Sequence, residues 1–282
     1  MMGITSDEIM AVCISRQIKD GEIVAQGLST PLIAAAYLLA RSTHAPNLYF
    51  MSAIGQGICR SPAPLRLTDV ESLWVDRSLI NVGFVRAATE MLPKFRPLEF
   101  FRPAQMDRFG NFNNIAFGKD YAKPRLRLPG TGGIADLTTF ISNIYLYVPR
   151  HSRITFVEQI DFLSGLGHNP LRKNGHGPQY LVTDLGQFDF MNDPNSEKCH
   201  LRLTSIHPGV TINRIKARTG FDFDILPNLQ ETSHPTEEEI RLLREEIDPH
   251  GIRRLEMLSG ASRRQLIWEI IQNELHGSNR IH

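Results

Sequence analysis

The first sixty residues alternate between helical periodicity and short continuous apolar runs, and this alternation restricts the possible folds more than any other feature of the chain. Apolar residues recur with helical spacing over residues 9–18, and residues 22–26 then form a run of strand length. Residues 31–39 and residues 47–52 repeat the same order. Short apolar strands separated by helices are typical of a parallel sheet with crossover helices. The sequence therefore predicts a single α/β domain built on a parallel sheet.

Capping residues and further apolar runs extend this prediction along the chain. Thr5 and Glu8 have the spacing of a capping box, which predicts a helix start. Strand-like runs are predicted at residues 98–105, 153–158, 180–183 and 200–205. From Thr236 onward the chain is expected to be helical and charged. The paired arginines at 253–254 and 263–264 are expected on a solvated helix face.

The charge balance and the cysteine pattern exclude several classes of protein. The chain has 31 Lys and Arg against 30 Asp and Glu, a net charge of +1, so bulk charge does not favour a nucleic-acid partner. Its 3 cysteines have no CxxC spacing and its 10 histidines no metal-ligand spacing, so neither a disulfide framework nor a metal site is expected. No apolar run approaches the ~20 residues of a membrane helix, and the N-terminus lacks the pattern of a signal peptide. We expect a cytoplasmic protein with no membrane or nucleic-acid partner.

Residues 129–136 form the strongest local candidate for a ligand-binding loop. Gly130, Thr131, Gly132 and Gly133 lie between a strand-like run and a predicted helix. Glycines at such a junction let backbone N–H groups and a helix N-terminus approach a ligand oxygen. A bare tight turn would have the same composition, and the spacing is not that of a dinucleotide-binding motif or a P-loop. The pattern favours a loop that contacts a ligand at the carboxyl edge of the sheet.

A second glycine cluster follows the strand that ends at Ser52. Residues 53–60 contain glycines at positions 55 and 57 but no carboxylate, histidine or lysine. Open α/β sheets keep their reactive groups at the carboxyl ends of strands, so this position lacks an acid or a base. Cys59 is a candidate nucleophile there, with inert packing as the alternative.

Together, these segments resemble the β-type subunits of family I CoA-transferases, and the layout is similar to that of the B subunit of glutaconate CoA-transferase. The resemblance runs in order over residues 6–250, which is more specific than any single motif. It is carried by residues 21–24, 27, 31, 45–47, 105–113, 130–135, 177–178, 182–184, 219–221 and 244–249. Residues 1–250 are identified on this basis as a CoA-transferase-like α/β domain, and residues 251–282 as a helical C-terminal extension.

The resemblance implies an αβα sandwich around a parallel sheet, a homologous α-type partner subunit, and an acyl-CoA site between the two chains. Coenzyme A would be part of the substrate, with no permanently bound cofactor. In transferring members the second strand ends in Glu-(Ser/Asn)-Gly, and this glutamate attacks the thioester. Counted from Ala45, the triplet falls on residues 53–55, where Ala53 replaces the glutamate and Gly55 is kept. A methyl group cannot form the mixed anhydride, so transfer through this position is closed.

Two branches of the family lack this glutamate: a hydrolase that opens a ring of steroid-derived CoA esters, and a decarboxylase of a glutaconyl-type CoA ester. The segments similar to the ring-opening branch are residues 156–158, 163–167, 184–190 and 207–211. Gly132 and Gly133 are more similar to the transferases. The resemblance therefore implies carbon–carbon cleavage of a cyclic β-keto acyl-CoA, or decarboxylation, with the acid or base on the α-type subunit. CoA transfer is the first alternative, and a non-catalytic CoA-binding or regulatory protein is the second.

The predicted site contains no certain catalytic residue in this chain and has two parts. Contacts with the thioester or its oxyanion are expected from Gly132, Gly133, Gly55 and Gln56. A wider pocket for CoA or substrate is expected from Gly27, Ser52, Asn111, Asn113, Gly130, Thr131 and His168. A preorganised oxyanion donor is worth about 2.7–4 kcal/mol in comparable sites, which is reason enough to keep the glycine loop after the glutamate is lost.

Overall fold

The computed structural model of the chain describes residues 3–27, 30–52, 56–69, 74–173, 175–192 and 199–278. The chain divides into two compact units, the first formed by Met1–Thr89 with His234–His282 and the second by Glu90–Ser233. None of the helices in the described ranges combines the length and the apolar character required to cross a bilayer.

Strands and helices are numbered in chain order. The strands are β1 (Ile23–Gln26), β2 (Tyr49–Ser52), β3 (Gly57–Cys59), β4 (Ser78–Asn81), β5 (Leu98–Phe101), β6 (Gln105–Met106), β7 (Phe112–Asn113), β8 (Ala116–Phe117), β9 (Leu126–Arg127), β10 (Ile144–Val148), β11 (Tyr180–Thr183), β12 (Gly186–Asn192), β13 (Cys199–Ile206) and β14 (Asp224–Glu231). The α-helices are α1 (Ser6–Ser15), α2 (Pro31–Thr43), α3 (Phe84–Arg86), α4 (Leu92–Phe95), α5 (Ile134–Phe140), α6 (Ile212–Arg218), α7 (Glu237–Arg241) and α8 (Gly260–Ser278). Other helical segments are the π-helices Ala87–Met91 and Leu242–Ile247 and the 3-10 helix Ile252–Glu256.

In the first unit, four neighbouring strands lie in the order β1-β2-β3-β4. β1 and β2 are parallel and are connected through α2, whereas β2, β3 and β4 are antiparallel neighbours. Helix α2 is buried from Leu32 to Ala40 because its sequence is apolar on nearly every side, and it packs against α1. The predicted alternation over the first sixty residues is confirmed. The capping box is also confirmed, since Thr5 N–H donates to Glu8 Oε2 at 2.9 Å.

Helix α1 contributes two buried carboxylates to a group of charged residues that we call the charge cluster: Asp7, Glu8, Arg244, Asp248 and Arg253. The Arg253 guanidinium is 3% exposed and lies within 3.2 Å of the carboxylates of Asp7, Glu8 and Asp248. Arg244 Nε lies 2.6 Å from Glu8 Oε1. The expectation that Arg253 lies on a solvated helix face is wrong, because three buried carboxylates hold its side chain inside the unit.

Helix α8 is attached to the first unit by one stripe of side chains. Leu266, Ile270 and Glu274 are spaced four residues apart and are buried. The Glu274 carboxylate accepts hydrogen bonds from Leu67 N–H at 2.7 Å, from Thr68 N–H at 2.8 Å and from the Thr68 hydroxyl at 2.6 Å. Residues of the predicted C-terminal extension therefore pack within the first unit. The domain boundary at residue 250 stays a prediction.

In the second unit, strands lie in the order β14-β13-β12-β11-β10-β5. β5, β10 and β11 are parallel, β12 is antiparallel to both of its neighbours, and β13 and β14 are parallel again. The hairpins β6–β7 and β8–β9 lie between β5 and α5 in the chain. The core of this unit includes Phe101, Phe112, Leu146, Phe156, Leu181, Phe188, Leu203 and Ile215.

Most of the later strand predictions are confirmed, and one is wrong. β11 and β13 occupy the runs predicted at residues 180–183 and 200–205, and residues 98–105 contain β5. Residues 153–158 instead form a turn in which Phe156 makes an isolated bridge to Met106. The apolar residues of this run signal burial correctly, but Phe156 enters the core from a turn. The predicted α/β class is confirmed, with parallel strand pairs flanked by helices.

Candidate active site

β1 and β2 end side by side, and each ends in a polar residue. Gln26 closes β1, Ser52 closes β2, and the two are register partners in the parallel pair. Both are buried, with exposures of 6% and 7%. Gly27, which follows Gln26, is half-buried. Because open α/β sheets bind ligands at the carboxyl edge of their strands, these residues lie where a substrate is expected.

The Gln26 side chain is bonded at one end only. Its Nε2 donates to Thr30 O at 3.2 Å, which holds the amide against the start of α2. Its Oε1 is buried and accepts no hydrogen bond from any described residue. A buried amide oxygen left in this state costs about 1–3 kcal/mol, so such groups are rare in native proteins.

Thr30 directly precedes α2 and would ordinarily cap it. An N-cap threonine accepts a hydrogen bond from the N–H group two or three residues further on. Here Leu32 N–H donates to Glu256 Oε1 at 2.9 Å instead, and the Thr30 side chain makes no capping bond. Thr30 Oγ1 is buried without a hydrogen-bond partner in the part of the chain that the structure describes. The carboxylate of Glu256 thus caps α2. The Thr30 hydroxyl therefore makes no capping bond, and Thr30 lies beside the Gln26 amide.

The resemblance predicts the position of the family glutamate directly after Ser52. Ala53 and Gly55 lie outside the described residues. Gln56 has a left-handed φ of 48°, its N–H donates to Ser52 O at 2.8 Å, and its O accepts from Val82 N–H at 3.1 Å. The Gln56 N–H is therefore engaged within the turn, and a contact of Gln56 with a thioester stays a prediction.

The predicted glycine loop lies in the second unit and leads into α5. Gly130 and Gly132 have φ of 101° and 51°, the left-handed region that favours glycine. Gly133 is the residue before α5, and Ile134 N–H donates to Thr131 O at 3.0 Å to close the first turn. The predicted passage from loop to helix is confirmed. Contacts of this loop with CoA or with a thioester stay a prediction.

Asn113 is fully buried and holds the turn between β7 and β8. Its Nδ2 donates to Gln105 Oε1 and to Ala116 O, both at 2.7 Å. Its Oδ1 accepts from Ile115 N–H at 2.9 Å. With both ends of the amide satisfied inside the unit, Asn113 stabilises this turn. Its predicted place in a substrate pocket stays a prediction.

Asn111 joins two loops whose backbones touch. Its Nδ2 donates to Asp107 Oδ2 at 2.9 Å, and its Oδ1 accepts from Gly167 N–H at 3.0 Å. A Cβ at Gly167 would lie 2.2 Å from the carbonyl carbon of Gly110, so only glycine permits this approach. The residues that carry the family resemblance at 105–113 therefore have a structural role here, whatever their contact with substrate.

His168 lies beside the same loops. Its Nε2 is 2.8 Å from Pro178 O, which can only accept, so this nitrogen carries the proton and Nδ1 is an acceptor. The ring contacts Phe190 with centroids 5.1 Å apart. Burial lowers the pKa of His168, which favours the neutral imidazole at pH 7. Its predicted contact with CoA or substrate stays a prediction.

Sequence reasoning missed a buried imidazole network in the second unit. His151 follows β10 and His207 follows β13, with exposures of 1% and 2%. His151 contacts the hydroxyls of Thr183 and Thr219, at 3.2 and 3.0 Å, and His207 contacts Thr183 O at 2.8 Å and the Thr232 hydroxyl at 2.9 Å. Burial lowers the pKa of His151 to about 3 and that of His207 to about 4. For His207 the available signal was its position just after the run predicted at residues 200–205, whereas His151 follows no predicted run, and the partners of both lie far along the chain.

The described residues also bear on nucleophilic and metal chemistry. Cys59 is 2% exposed, and burial raises the pKa of its thiol, so the thiolate that a nucleophile requires is disfavoured. Over the described ranges, no group of three or more His, Cys, Asp or Glu side chains is arranged to hold a metal ion.

The chain is similar to enzymes of two kinds, and transferases form the first. The family model for coenzyme A transferase matches residues 7–218. The B subunit of 3-oxoadipate CoA-transferase from Pseudomonas knackmussii is 30% identical over 267 residues, covering 86% of this chain and 94% of the relative. The B subunit of glutaconate CoA-transferase from Acidaminococcus fermentans is 32% identical over 262 residues, covering 87% and 93%.

The second kind of similar enzyme has a name that describes ring cleavage or decarboxylation. The cholesterol ring-cleaving hydrolase IpdB subunit of Mycobacterium bovis is 28% identical over 267 residues, covering 90% of this chain and 99% of the relative. Among solved structures, the decarboxylase AibA/AibB matches with a TM-score of 0.74 and 29% identity, covering 89% of this chain and 98% of the matched chain. The sequence identities to these proteins, 28–32%, do not distinguish CoA transfer, ring cleavage and decarboxylation from one another.

Proposed function

The chain belongs to the coenzyme A transferase family, and on that premise we propose that it is the β-type subunit of a two-chain enzyme acting on an acyl-CoA thioester. The proposed reaction is hydrolytic carbon–carbon cleavage of a cyclic β-keto acyl-CoA, with decarboxylation as the related alternative. The relatives named as B subunits, and the paired name AibA/AibB, support a partner of the α type.

Ala53 is the observation that carries this proposal. It stands where the resemblance places the transferase glutamate, and its methyl group cannot attack a thioester. Gln26, Thr30 and Ser52, the polar residues at the same strand ends, are neutral, so none of them supplies a carboxylate in its place. The ring-cleaving and decarboxylating relatives show that the same fold supports chemistry other than group transfer.

Both proposed reactions require this subunit to stabilise negative charge on the thioester oxygen. In the hydrolysis, the oxygen of water bonds to the ring carbonyl carbon, and one proton passes to a general base on the partner subunit. The bond to the α-carbon of the thioester then breaks, its electron pair forms the thioester enolate, and the α-carbon takes up a proton. In decarboxylation the bond to the carboxylate breaks with loss of carbon dioxide, its electron pair passes through the double bond to form a thioester dienolate, and a carbon then takes up a proton. In each case negative charge develops on the thioester oxygen, and no nucleophilic side chain is required.

The glycine loop offers donors for that charge. The backbone N–H groups of Gly132 and Gly133 make no hydrogen bond to any part of the chain that the structure describes. They lie immediately before α5, whose N-terminus is Ile134. Each such donor, when preorganised, is worth about 2.7–4 kcal/mol to an oxyanion transition state.

An exposed apolar surface in the first unit supports the proposed partner subunit. On β4, Leu79 and Ile80 are 64% and 51% exposed, although neighbouring residues of a strand point to opposite faces. Phe84 and Val85 of α3 are 59% and 71% exposed. An apolar strand at the end of a sheet invites pairing with another chain, and the α-type subunit is the occupant that the proposal provides.

The test uses the purified two-chain complex and three assays: ring cleavage, decarboxylation and acetate exchange. With a cyclic β-keto acyl-CoA, mass spectrometry should show a product heavier by one water that retains CoA, and with a glutaconyl-type ester, loss of carbon dioxide. Labelled acetate should not exchange into the acyl-CoA, and Ala53→Glu is the matched variant that restores the carboxylate for this assay. Rapid exchange in the unaltered complex, with covalent labelling of this chain, would establish CoA transfer instead.

A further inference from the structure

The carboxyl edge of β1 holds two hydrogen-bond acceptors that the fold leaves unused. Gln26 Oε1 and Thr30 Oγ1 are both buried, and neither has a partner among the described residues. The bond from Gln26 Nε2 to Thr30 O, at 3.2 Å, keeps the two residues together. We call Gln26 Oε1 and Thr30 Oγ1 the strand-end acceptors.

A purely structural role does not account for the strand-end acceptors. Gln26 is 6% exposed, and a leucine or methionine would fill its place without leaving a polar atom unpaired. Thr30 is not needed as a cap, since Glu256 Oε1 already accepts from Leu32 N–H at 2.9 Å. Polar groups that cost stability without supporting the fold are typical of binding and catalytic sites.

The location of the acceptors relates them to the missing nucleophile. Gln26 is paired in register with Ser52, and neighbouring strands lie about 4.8 Å apart. Ala53 is the next residue in the chain after Ser52. Gln26 therefore lies beside the strand end after which the resemblance places the transferase glutamate, and its bond to Thr30 O keeps Thr30 next to it.

We propose that Gln26 and Thr30 bind the water molecule that attacks the substrate in the hydrolytic cleavage, an inference that rests on the proposed function. A water molecule can donate one hydrogen, shared between Gln26 Oε1 and Thr30 Oγ1, so its second hydrogen stays available to the general base on the partner subunit and a lone pair to the ring carbonyl carbon. An anionic ligand does not fit, because an amide oxygen repels it and the Glu256 carboxylate already occupies the N-terminus of α2. The water oxygen thus takes the role that a carboxylate oxygen has in the transferases.

The experiment compares Gln26→Leu and Thr30→Val with the unaltered two-chain enzyme, using a cyclic β-keto acyl-CoA. Misplacing the nucleophile should lower kcat about 100-fold while KM for the acyl-CoA stays unchanged. The Tm of Gln26→Leu should be equal to or higher than that of the unaltered chain, because an unpaired polar group is replaced by an apolar one of similar size. Thr43→Val on the same helix, whose hydroxyl bonds to Leu39 O at 2.8 Å, is the matched control and should leave kcat unchanged.

The outcomes separate this inference from the proposed function. If the unaltered enzyme exchanges acetate and adds no water, the proposed function fails and the inference fails with it. If the enzyme cleaves its substrate and both variants keep the normal kcat, only the inference is overturned. A raised KM with normal kcat would assign the acceptors to a substrate hydroxyl and would also overturn it. If Gln26→Leu does not fold, Gln26→Met and Thr30→Val carry the test.

Discussion

The charge cluster and the strand-end acceptors are both buried in the first unit, but the fold treats them in opposite ways. Glu8 is 2% exposed and Gln26 is 6% exposed. Each carboxylate of the charge cluster has an arginine nitrogen within 3.2 Å, although the Asp7 Oδ2–Arg253 Nε pair is an ion contact and not a hydrogen bond, whereas Gln26 Oε1 has no donor among the described residues. Burial of polar groups therefore does not by itself mark a functional site. Burial without partners, at the carboxyl end of a strand, is the observation on which the proposal for Gln26 and Thr30 rests.

The charge cluster shows how much compensation a buried charge needs. For Glu8, burial would raise the pKa, but the bond from Arg244, the bonds from Thr5 and the charge of Arg253 outweigh it, and the pKa is lowered. For Asp248, burial prevails and raises the pKa although Arg253 lies 2.9 Å away. A buried ion network of this kind adds little net stability, but removing one member leaves the others unpaired.

Arg253→Met is expected to have the largest effect on stability. It keeps an unbranched stem without the guanidinium and leaves three buried carboxylates without their shared cation, which costs about 3–5 kcal/mol of unfolding free energy. Urea denaturation of the unaltered chain and the variant measures this loss. Arg264→Met, at an exposed position of α8, is the matched control and should change the unfolding free energy by less than about 0.5 kcal/mol. If Arg253→Met is as stable as the unaltered chain, the charge cluster is dispensable for stability. The cluster could then no longer serve as the structural example against which the strand-end acceptors are compared.

The sequence predicted what depends on neighbouring residues. The capping box at Thr5, the alternation through α1, β1, α2 and β2, and the glycine loop before α5 all follow from local periodicity and turn chemistry. Partners that are distant along the chain could not be predicted in this way. Arg253 meets Glu8 across 245 residues, and Leu32 meets Glu256 across 224. From sequence alone, the arginine pair at 253–254 therefore has the pattern of a solvated surface.

The same limit applies to the candidate site. Gln26 was visible as a polar residue at the end of an apolar run, and its position at the carboxyl edge of a strand could be inferred. Two features of this site are visible only in the folded structure. The Gln26 Oε1 atom lacks a donor, and Glu256 caps α2 in place of Thr30. The apolar run at residues 153–158 shows the converse, because its composition indicated burial but could not distinguish a strand from a turn that buries Phe156.

The imidazole network of the second unit extends the comparison to neutral groups that do have partners. His151 and His207 are held neutral by burial, with pKa values of about 3 and about 4 against about 6.5 in an unfolded chain. Below pH 6.5 only the unfolded state takes up these protons, so stability should fall by about 1.4 kcal/mol per histidine for each pH unit down to about pH 4.

Urea denaturation at pH 6.5 and pH 5 measures the effect of these histidines. His207→Gln should remove the share of one histidine from the decrease, whereas His176→Gln, at an exposed position, should leave it intact. An unfolding free energy that is the same at both pH values would mean that these histidines take up protons in the folded state, contrary to their burial.

Glu99 tests whether a buried group without a partner always signals a ligand. It is 6% exposed on β5, and no hydrogen bond or ion pair to its carboxylate is found within the described ranges. Unlike Gln26, it lies inside a strand and not at its carboxyl end. Burial raises the pKa of Glu99 to about 8, so the side chain is an uncharged acid at neutral pH. We therefore expect Glu99 to affect stability and not the reaction.

Glu99→Gln is expected to have the smallest of these effects on stability. The buried Glu99 lowers stability as the pH rises, whereas the histidines lower it as the pH falls. Between pH 6.5 and pH 8 the unfolded chain is already ionised at this position while the folded chain keeps its proton, so stability should fall by about 2 kcal/mol as the pH rises. A glutamine removes this decrease, whereas Glu158→Gln, whose side chain is 64% exposed, should retain it. Urea denaturation at the two pH values, with kcat of the two-chain enzyme measured alongside, separates stability from catalysis. A loss of kcat in Glu99→Gln would show that this unpaired group, which lies inside a strand, also contributes to the reaction. The position of Gln26 at a strand end would then no longer distinguish it from Glu99.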